Sequence, residues 1–160
     1  MHLYLVRHGD ALTQGYDDPA RPLSSLGEEQ AKLAALTLKV FGVALDAILS
    51  SPLLRAKQTA SIVKEELKVV DVIITEYLVP SADHRQIINQ LNELGKNSVL
   101  LVGHEPHLSS FISMLITGTR TAELEMKKGG IAFIETLSPI QIGKCVLRWL
   151  LGPEQMKHVK

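Results

Sequence analysis

HLYLVRHGD, residues 2–10, opens with a short apolar run rich in strand formers and breaks at Gly9, directly after an Arg-His pair. SVLLVGHEP, residues 98–106, repeats that grammar: a buried strand over 98–102, then Gly103-His104, then a proline that opens a helix to about 116. Between the two, 44–49 reads as a second strand and the β-branched stretch 69–74 as a third. Helices are expected in the intervals. Ser24 and Ser25 ahead of Glu28 signal an N-terminus for a helix over 26–40, with Leu26, Ala31, Leu33, Ala34, Leu38 and Phe41 on its apolar face. Pro52 suits the first turn of a helix over 53–67. The stretch 82–94 places Ile87, Ile88, Leu91 and Leu94 at core spacing.

Four strand–helix units in succession predict an α/β fold, a three-layer sandwich with a mostly parallel central sheet. Near-continuous apolar strands fit a sheet covered on both faces. The tail differs: 130–137 and 144–150 are strand-like runs joined by SPIQIG, which predicts a C-terminal hairpin. No repeat, low-complexity stretch or linker interrupts the chain, so residues 1–160 are expected to form a single domain.

Lys plus Arg and Asp plus Glu number 17 each, which leaves no global charge to attract nucleic acid or an anionic membrane. Any anion must be held by a few locally placed cations. Cys145 is the one cysteine and lies in an apolar run, so it reads as a core residue and excludes an intramolecular disulfide. No leader-like segment and no apolar run of about 18 residues is visible, and a cytoplasmic, monomeric protein is the expectation. His2, His84, His107 and His158 share no metal-ligand spacing, and no cofactor is called for. His107, three residues after His104, is a candidate for shaping the same rim, and Trp149 reads as a core residue of the last strand.

In open parallel sheets, ligands bind beyond the carboxyl ends of the strands. Three such ends carry unusual residues: Arg7-His8-Gly9, Ser50-Ser51-Pro52 followed by Arg55, and Gly103-His104. Taken singly each has a plainer reading, as a surface turn, a helical salt bridge or a helix cap. Together they bring two guanidiniums and two imidazoles to one rim. Like charges brought together repel unless an anion sits between them, and Arg can bridge two phosphoryl oxygens. A neutral imidazole can attack phosphorus, and a second, when protonated, can donate to the equatorial oxygens. No metal is needed for that chemistry.

LVRHGDA at 5–11, RPLSSLGEEQA at 21–31, SSPLLRAKQTA at 50–60 and VGHEP at 102–106 together resemble the signatures of the histidine phosphatase superfamily, also called phosphoglycerate mutase-like. The resemblance implies His8 as phosphohistidine nucleophile, with Arg7, Arg55 and His104 completing a phosphate- and substrate-binding pocket. It departs from many members in two ways. Only about eight residues separate Ile74 from the next predicted helix, which leaves no room for a lid. The segment TEYLVPSAD lacks the usual acid, since Pro80 follows Leu78-Val79 and Glu76 is displaced. Expelling an alkoxide benefits from a proton donor, whereas the nitrogen of a phosphoramidate leaves more readily.

A lidless, acid-poor site of this length, with LRWLLGP at 147–153, resembles the compact phosphohistidine phosphatases of the SixA type. That resemblance implies a phosphohistidine-bearing phosphotransfer protein as substrate and partner. Two alternatives stand beside it: a small-molecule phosphomonoesterase of the same superfamily, and a catalytically silent phosphoprotein-binding module. Asp10, Asp17 and Asp18 in the loop after His8 are candidates for a weak acid, Asp18 foremost, against the plainer reading as solvated carboxylates.

Overall fold

The computed structural model of the chain describes residues 1–69 and 72–160. Its elements run β1 (His2–Arg7), α1 (Ser25–Val40), β2 (Ala47–Ser50), α2 (Leu54–Leu67), β3 (Val72–Ile74), α3 (His84–Leu94), β4 (Ser98–Gly103), α4 (His107–Thr117), β5 (Ile131–Glu135), β6 (Val146–Leu151) and a short α5 (Pro153–Met156). Among the described residues the strands form one sheet in the order β3-β2-β4-β1-β5-β6. Its β3-β2-β4-β1 part is parallel, and β5 and β6 add to it antiparallel. The α/β sandwich with a mostly parallel sheet and a C-terminal hairpin is therefore present.

Alternation along the buried strands builds the three layers. Leu3, Leu5, Val99 and Leu101 pack with Ile87 and Leu91 of α3 and Phe111 and Leu115 of α4. Their neighbours Tyr4, Val6, Leu100 and Val102 pack with Ala34 and Leu38 of α1, Ala60 and Val63 of α2 and Met156 of α5. Consequently α1 leaves β1 toward one face of the sheet, while α4 leaves the adjacent β4 toward the other. Neighbouring strands whose connections diverge open a crevice beyond their carboxyl ends. Register then places the chemistry: Arg7 pairs with Gly103, so the residues that follow, His8 and His104, emerge side by side.

Several expectations need correction. Strand β3 starts at Val72; Val69 is buried but outside it, and residues 70–71 lie outside the described residues. Leu26 and Phe41, assigned to the apolar face of α1, are 54% and 43% exposed, because the sheet-facing stripe is occupied by Ala31, Ala34, Ala35 and Leu38. Phe41 instead packs edge-on against Trp149, ring centroids 5.4 Å apart. Trp149 itself is half-buried on the edge strand β6, tilted against the stacked Tyr4–Phe133 pair rather than enclosed. Pro52 precedes α2 instead of opening it, with Leu53 at the N-cap. Cys145 is buried, as expected, and burial pushes its thiol pKa up.

The loop after β1 is pressed onto the start of α1. Ser24 caps that helix, accepting from the Gly27 N–H at 3.1 Å, and its hydroxyl donates to the Asp10 carboxylate at 2.7 Å. A side chain at Gly27 would begin 1.9 Å from the Asp10 carbonyl oxygen, and one at Gly9 would begin 2.3 Å from that of Gly27. Both obstacles are backbone, so neither can swing aside. Gly27→Ala is expected to cost at least roughly 2 kcal/mol by overpacking, read as a fall in Tm of about 4–8 °C. A wild-type Tm would show that α1 does not bear on this loop.

Candidate active site

His8 leaves β1 with its backbone N–H donating to the Gly103 carbonyl of β4, at 3.1 Å. Its side chain is 6% exposed. Nδ1 lies 2.6 Å from the Gly9 carbonyl oxygen; a carbonyl only accepts, so the ring proton sits on Nδ1 and the lone pair on Nε2. Arg55, in the first turn of α2, directs its Nε–H at that lone pair from 3.4 Å. His104 stands across from His8 with ring centroids 4.9 Å apart. Its Nε2 meets the Ser51 hydroxyl at 2.8 Å. Ser51 Oγ also accepts the Leu53 N–H; with a second lone pair and its own proton it can meet Nε2 as donor or as acceptor, so this contact fits either His104 tautomer.

Two buried nitrogens close to His8 have no hydrogen-bond partner among the described residues. Arg7 spends Nη1 on the Met126 carbonyl at 2.8 Å, yet its Nε is buried without a partner among the described residues. His104 Nδ1 is in the same condition. Buried donors without partners are rare in folded proteins and costly to keep, at about 1–3 kcal/mol each. One belongs to the residue before His8 in the chain and the other to the ring across from it, and the unmet Arg7 Nε–H calls for an acceptor here.

The electrostatics agree. Burial, then the charges of Arg55, Arg7 and Lys128, lower the His8 pKa to about 4 against the opposing Gly9 hydrogen bond. Burial, His8 and Arg55 lower His104 to about 3. Both imidazoles are thus neutral at pH 7. The sequence reading gave His104 a donor role when protonated; without a ligand it carries no charge, and a nearby dianion would raise its pKa.

The structure brings Arg7, His8, Arg55 and His104 to one place, and separates the three acidic candidates. Asp18 lies over Arg55: its carbonyl accepts from Nη1 at 2.9 Å and its carboxylate stands 3.5 Å from Nη2. Its slight burial pushes its pKa up, but hydrogen bonding to Arg21 and the charges of Arg55 and Arg21 outweigh this and lower it. Asp10 is bound to Lys128 at 2.7 Å and to Ser24, which hold it ionised. Asp17 is exposed at the N-cap of a 3-10 turn and makes no side-chain cap bond. Glu76 is exposed and makes no hydrogen bond to this cluster among the described residues. His107 is not on the rim but buried against His84, ring centroids 4.3 Å apart.

Several supporting residues escaped the sequence reading. Thr59 accepts the Gly9 N–H at 3.2 Å, Gln30 accepts the Asp10 N–H at 2.8 Å, and Gln58 accepts the Leu23 N–H at 2.7 Å. All three fall inside the quoted motif segments, and their polarity at buried or half-buried helix positions was the available signal. Lys128 comes from the loop before β5 and carried no local signal. Among the described residues, no group of three or more His, Cys, Asp or Glu side chains is arranged to hold a metal ion.

Residues 3–79 match the histidine phosphatase superfamily (branch 1). Phosphohistidine phosphatase SixA of Escherichia coli is 27% identical over 164 aligned residues, covering 100% of this chain and 99% of that protein. A phosphohistidine phosphatase SixA homolog of Haemophilus influenzae is 32% identical over 144 residues, covering 83% and 82%. The solved structure of the protein histidine phosphatase SixA complexed with tungstate superposes with a TM-score of 0.89 at 28% identity, covering 98% of this chain and 99% of that one. With these matches along its length and its two histidines at the ends of adjacent parallel strands, the chain belongs to the histidine phosphatase superfamily, among its compact SixA-like members.

Proposed function

We propose that this chain is a phosphatase that removes phosphate through a covalent intermediate on His8, and that it acts on phosphohistidine of a phosphotransfer protein. The observation that carries the reading is the pair of unpartnered buried nitrogens, Arg7 Nε and His104 Nδ1, near an imidazole whose free lone pair is on Nε2. A tetrahedral oxyanion supplies the missing acceptors, and the SixA relative was solved with one, tungstate. In the reaction His8 Nε2 attacks phosphorus while the bond to the leaving nitrogen breaks and that nitrogen takes a proton from solvent. Water then attacks phosphorylated His8, releasing phosphate and restoring the neutral imidazole. Arg7, Arg55 and the His104 N–H hold the phosphoryl oxygens through both steps.

The nature of the substrate follows from what surrounds the site. Residues 75–83 connect β3 to α3 through one 3-10 turn, Glu76–Leu78, and hold no lid helix. The carboxylates nearest the cations are held ionised, which suits a leaving group that does not depend on a strong acid. For Asp18 the geometry supports a different part from the proton donor first considered: a counter-ion resting on Arg55 until a phosphoryl group takes its place.

His8→Ala should abolish hydrolysis of a protein phosphohistidine while leaving the fold intact; residual turnover above background would remove the mechanism. Faster hydrolysis of a simple phosphate monoester by the wild type would favour the small-molecule reading. Arg55→Ala should lower kcat/KM at least roughly a hundredfold, about 3 kcal/mol; a change under tenfold would place Arg55 outside the pocket. Asp18→Asn should lower the inhibition constant of product phosphate with kcat within about threefold, whereas a tenfold loss of kcat would reinstate a proton donor.

NMR titration checks the charge states. The His8 and His104 rings should stay neutral down to about pH 5. Their folded pKa values lie below the unfolded value of about 6.5, so the unfolded chain binds more protons in that window. Stability should therefore be full above pH 6.5 and fall as pH drops toward 4. Midpoints near 6.5 would mean that the rings are solvated.

A further inference from the structure

Among the described residues the His104 ring has one hydrogen-bond partner, the Ser51 hydroxyl, 2.8 Å from Nε2. Ser51 is completely buried, and its backbone is fixed on both sides. Its N–H donates to the Val102 carbonyl of β4 at 3.1 Å, two residues ahead of His104, and its carbonyl accepts from the Ser50 hydroxyl at 2.9 Å. The register of β2 against β4 thus brings Oγ to the ring. Burying a hydroxyl is unfavourable unless it is bonded, so its presence here calls for a reason. Capping α2 supplies part of it, since Oγ accepts the Leu53 N–H at 3.3 Å. That bond uses one lone pair and leaves the other, with the hydroxyl proton, for His104.

His104 is also the ring whose charge a phosphoryl group would change. Burial first, then His8, Arg55 and His107, disfavour its protonated form, and Asp18 opposes them. Glu105, next in the chain, is engaged by the Ser109 N–H and hydroxyl. A phosphoryl dianion beside the ring tips this balance toward the imidazolium, because a close opposite charge favours the charged form. An imidazolium carries an N–H on both nitrogens. Nδ1 has no partner among the described residues, whereas Nε2 faces Ser51 and needs an acceptor there. A fixed N–H in that place would bar the second proton. A hydroxyl does not: turning about its Cβ–Oγ bond changes it from donor to acceptor while every heavy atom stays where it is.

We propose that Ser51 is a positioning residue of the reaction, its hydroxyl holding the His104 ring at Nε2 as donor or acceptor according to the ring's protonation, so that His104 takes up a proton from solvent when a phosphoryl group binds and does so without moving. The inference rests on the phosphoryl-binding reading of the site given above. Ser51 acts through His104, which becomes a charged donor to the phosphoryl oxygens in an orientation already set before they arrive.

The test follows the ring-nitrogen chemical shifts of His104 across pH, with and without inorganic phosphate, in wild type, Ser51→Ala and Ser51→Thr. In parallel, kcat and KM are measured on a protein phosphohistidine. In the wild type, phosphate should convert a neutral His104 at pH 7 into an imidazolium protonated on both nitrogens. In Ser51→Ala the His104 midpoint in the phosphate complex should fall by at least about one pH unit, a tenfold loss. The same variant should lose at least roughly tenfold in kcat, with KM changed less. Ser51→Thr, which keeps the hydroxyl, should recover most of both. A capping role alone would lower the Tm of Ser51→Ala and leave the midpoint in place, and that result overturns the proposal. So does a wild-type ring that stays neutral with phosphate bound, an observation that needs no variant to fold. The phosphate titration requires no turnover, so a wild type inactive on phosphohistidine defeats the substrate assignment while the ring still decides the part played by Ser51.

Discussion

Parallel pairing of β1 with β4, with Arg7 opposite Gly103, is the constraint on which the rest of the site depends. A one-residue slip would send Leu3 and Leu5 to the α1–α2 face and Tyr4 and Val6 to the α3–α4 face, inverting both cores. Leu3, Leu5, Val99 and Leu101 are completely buried, so the hydrophobic cost of that slip is large. The core fixes the register, and the register fixes His8 beside His104. Strand β2 extends the same logic, since its pairing with β4 and the Ser51 N–H bond to Val102 bring the start of α2, and so Arg55, to the same edge.

Positioning alone would leave a mobile loop at the reacting atom. Backbone contact between Gly9 and Gly27, the Asp10–Ser24 bonds and the amide side chains of Gln30 and Gln58 hold the loop after β1 against α1 and α2. Thr59 adds a hydroxyl acceptor to the Gly9 N–H while bonding back to the Arg55 carbonyl. One helical turn thereby steadies both the loop of the proposed nucleophile and the arginine that faces it. Such preorganisation is what lets fixed donors act at a charged transition state without rearrangement.

A chain with no net charge concentrates positive charge at one rim by placement. Arg7, Arg55 and Lys128 all depress the ionisation of His8, and the imidazoles answer by remaining neutral. Neutrality suits a nucleophile, because a protonated imidazole has no lone pair to offer. Asp18 and Asp10 offset part of the remaining charge, each paired with a cation.

The strand ends bearing His8 and His104, the alternating α/β order and the terminal hairpin were legible in the sequence, because apolar periodicity and glycine or proline breaks are local signals. So was the placing of Arg7 and Arg55 at the same rim, since Arg7 ends β1 and Arg55 follows the end of β2. Other features depended on distant parts of the chain. Leu26 and Phe41 belong to the helical pattern, but the area of sheet available to α1 decides that they stay outside it. Lys128 reaches Asp10 across 118 residues. The charge state of His104 follows from burial against residues remote in sequence, and Asp18 is a counter-ion because a loop happens to cross Arg55. Sequence by itself determined which elements form and which residues reach the rim, since those follow from periodicity and chemical type. Tertiary structure decided protonation, unpartnered nitrogens and ion pairing, because these are set by distances and solvent exclusion that exist only once separate segments have packed together.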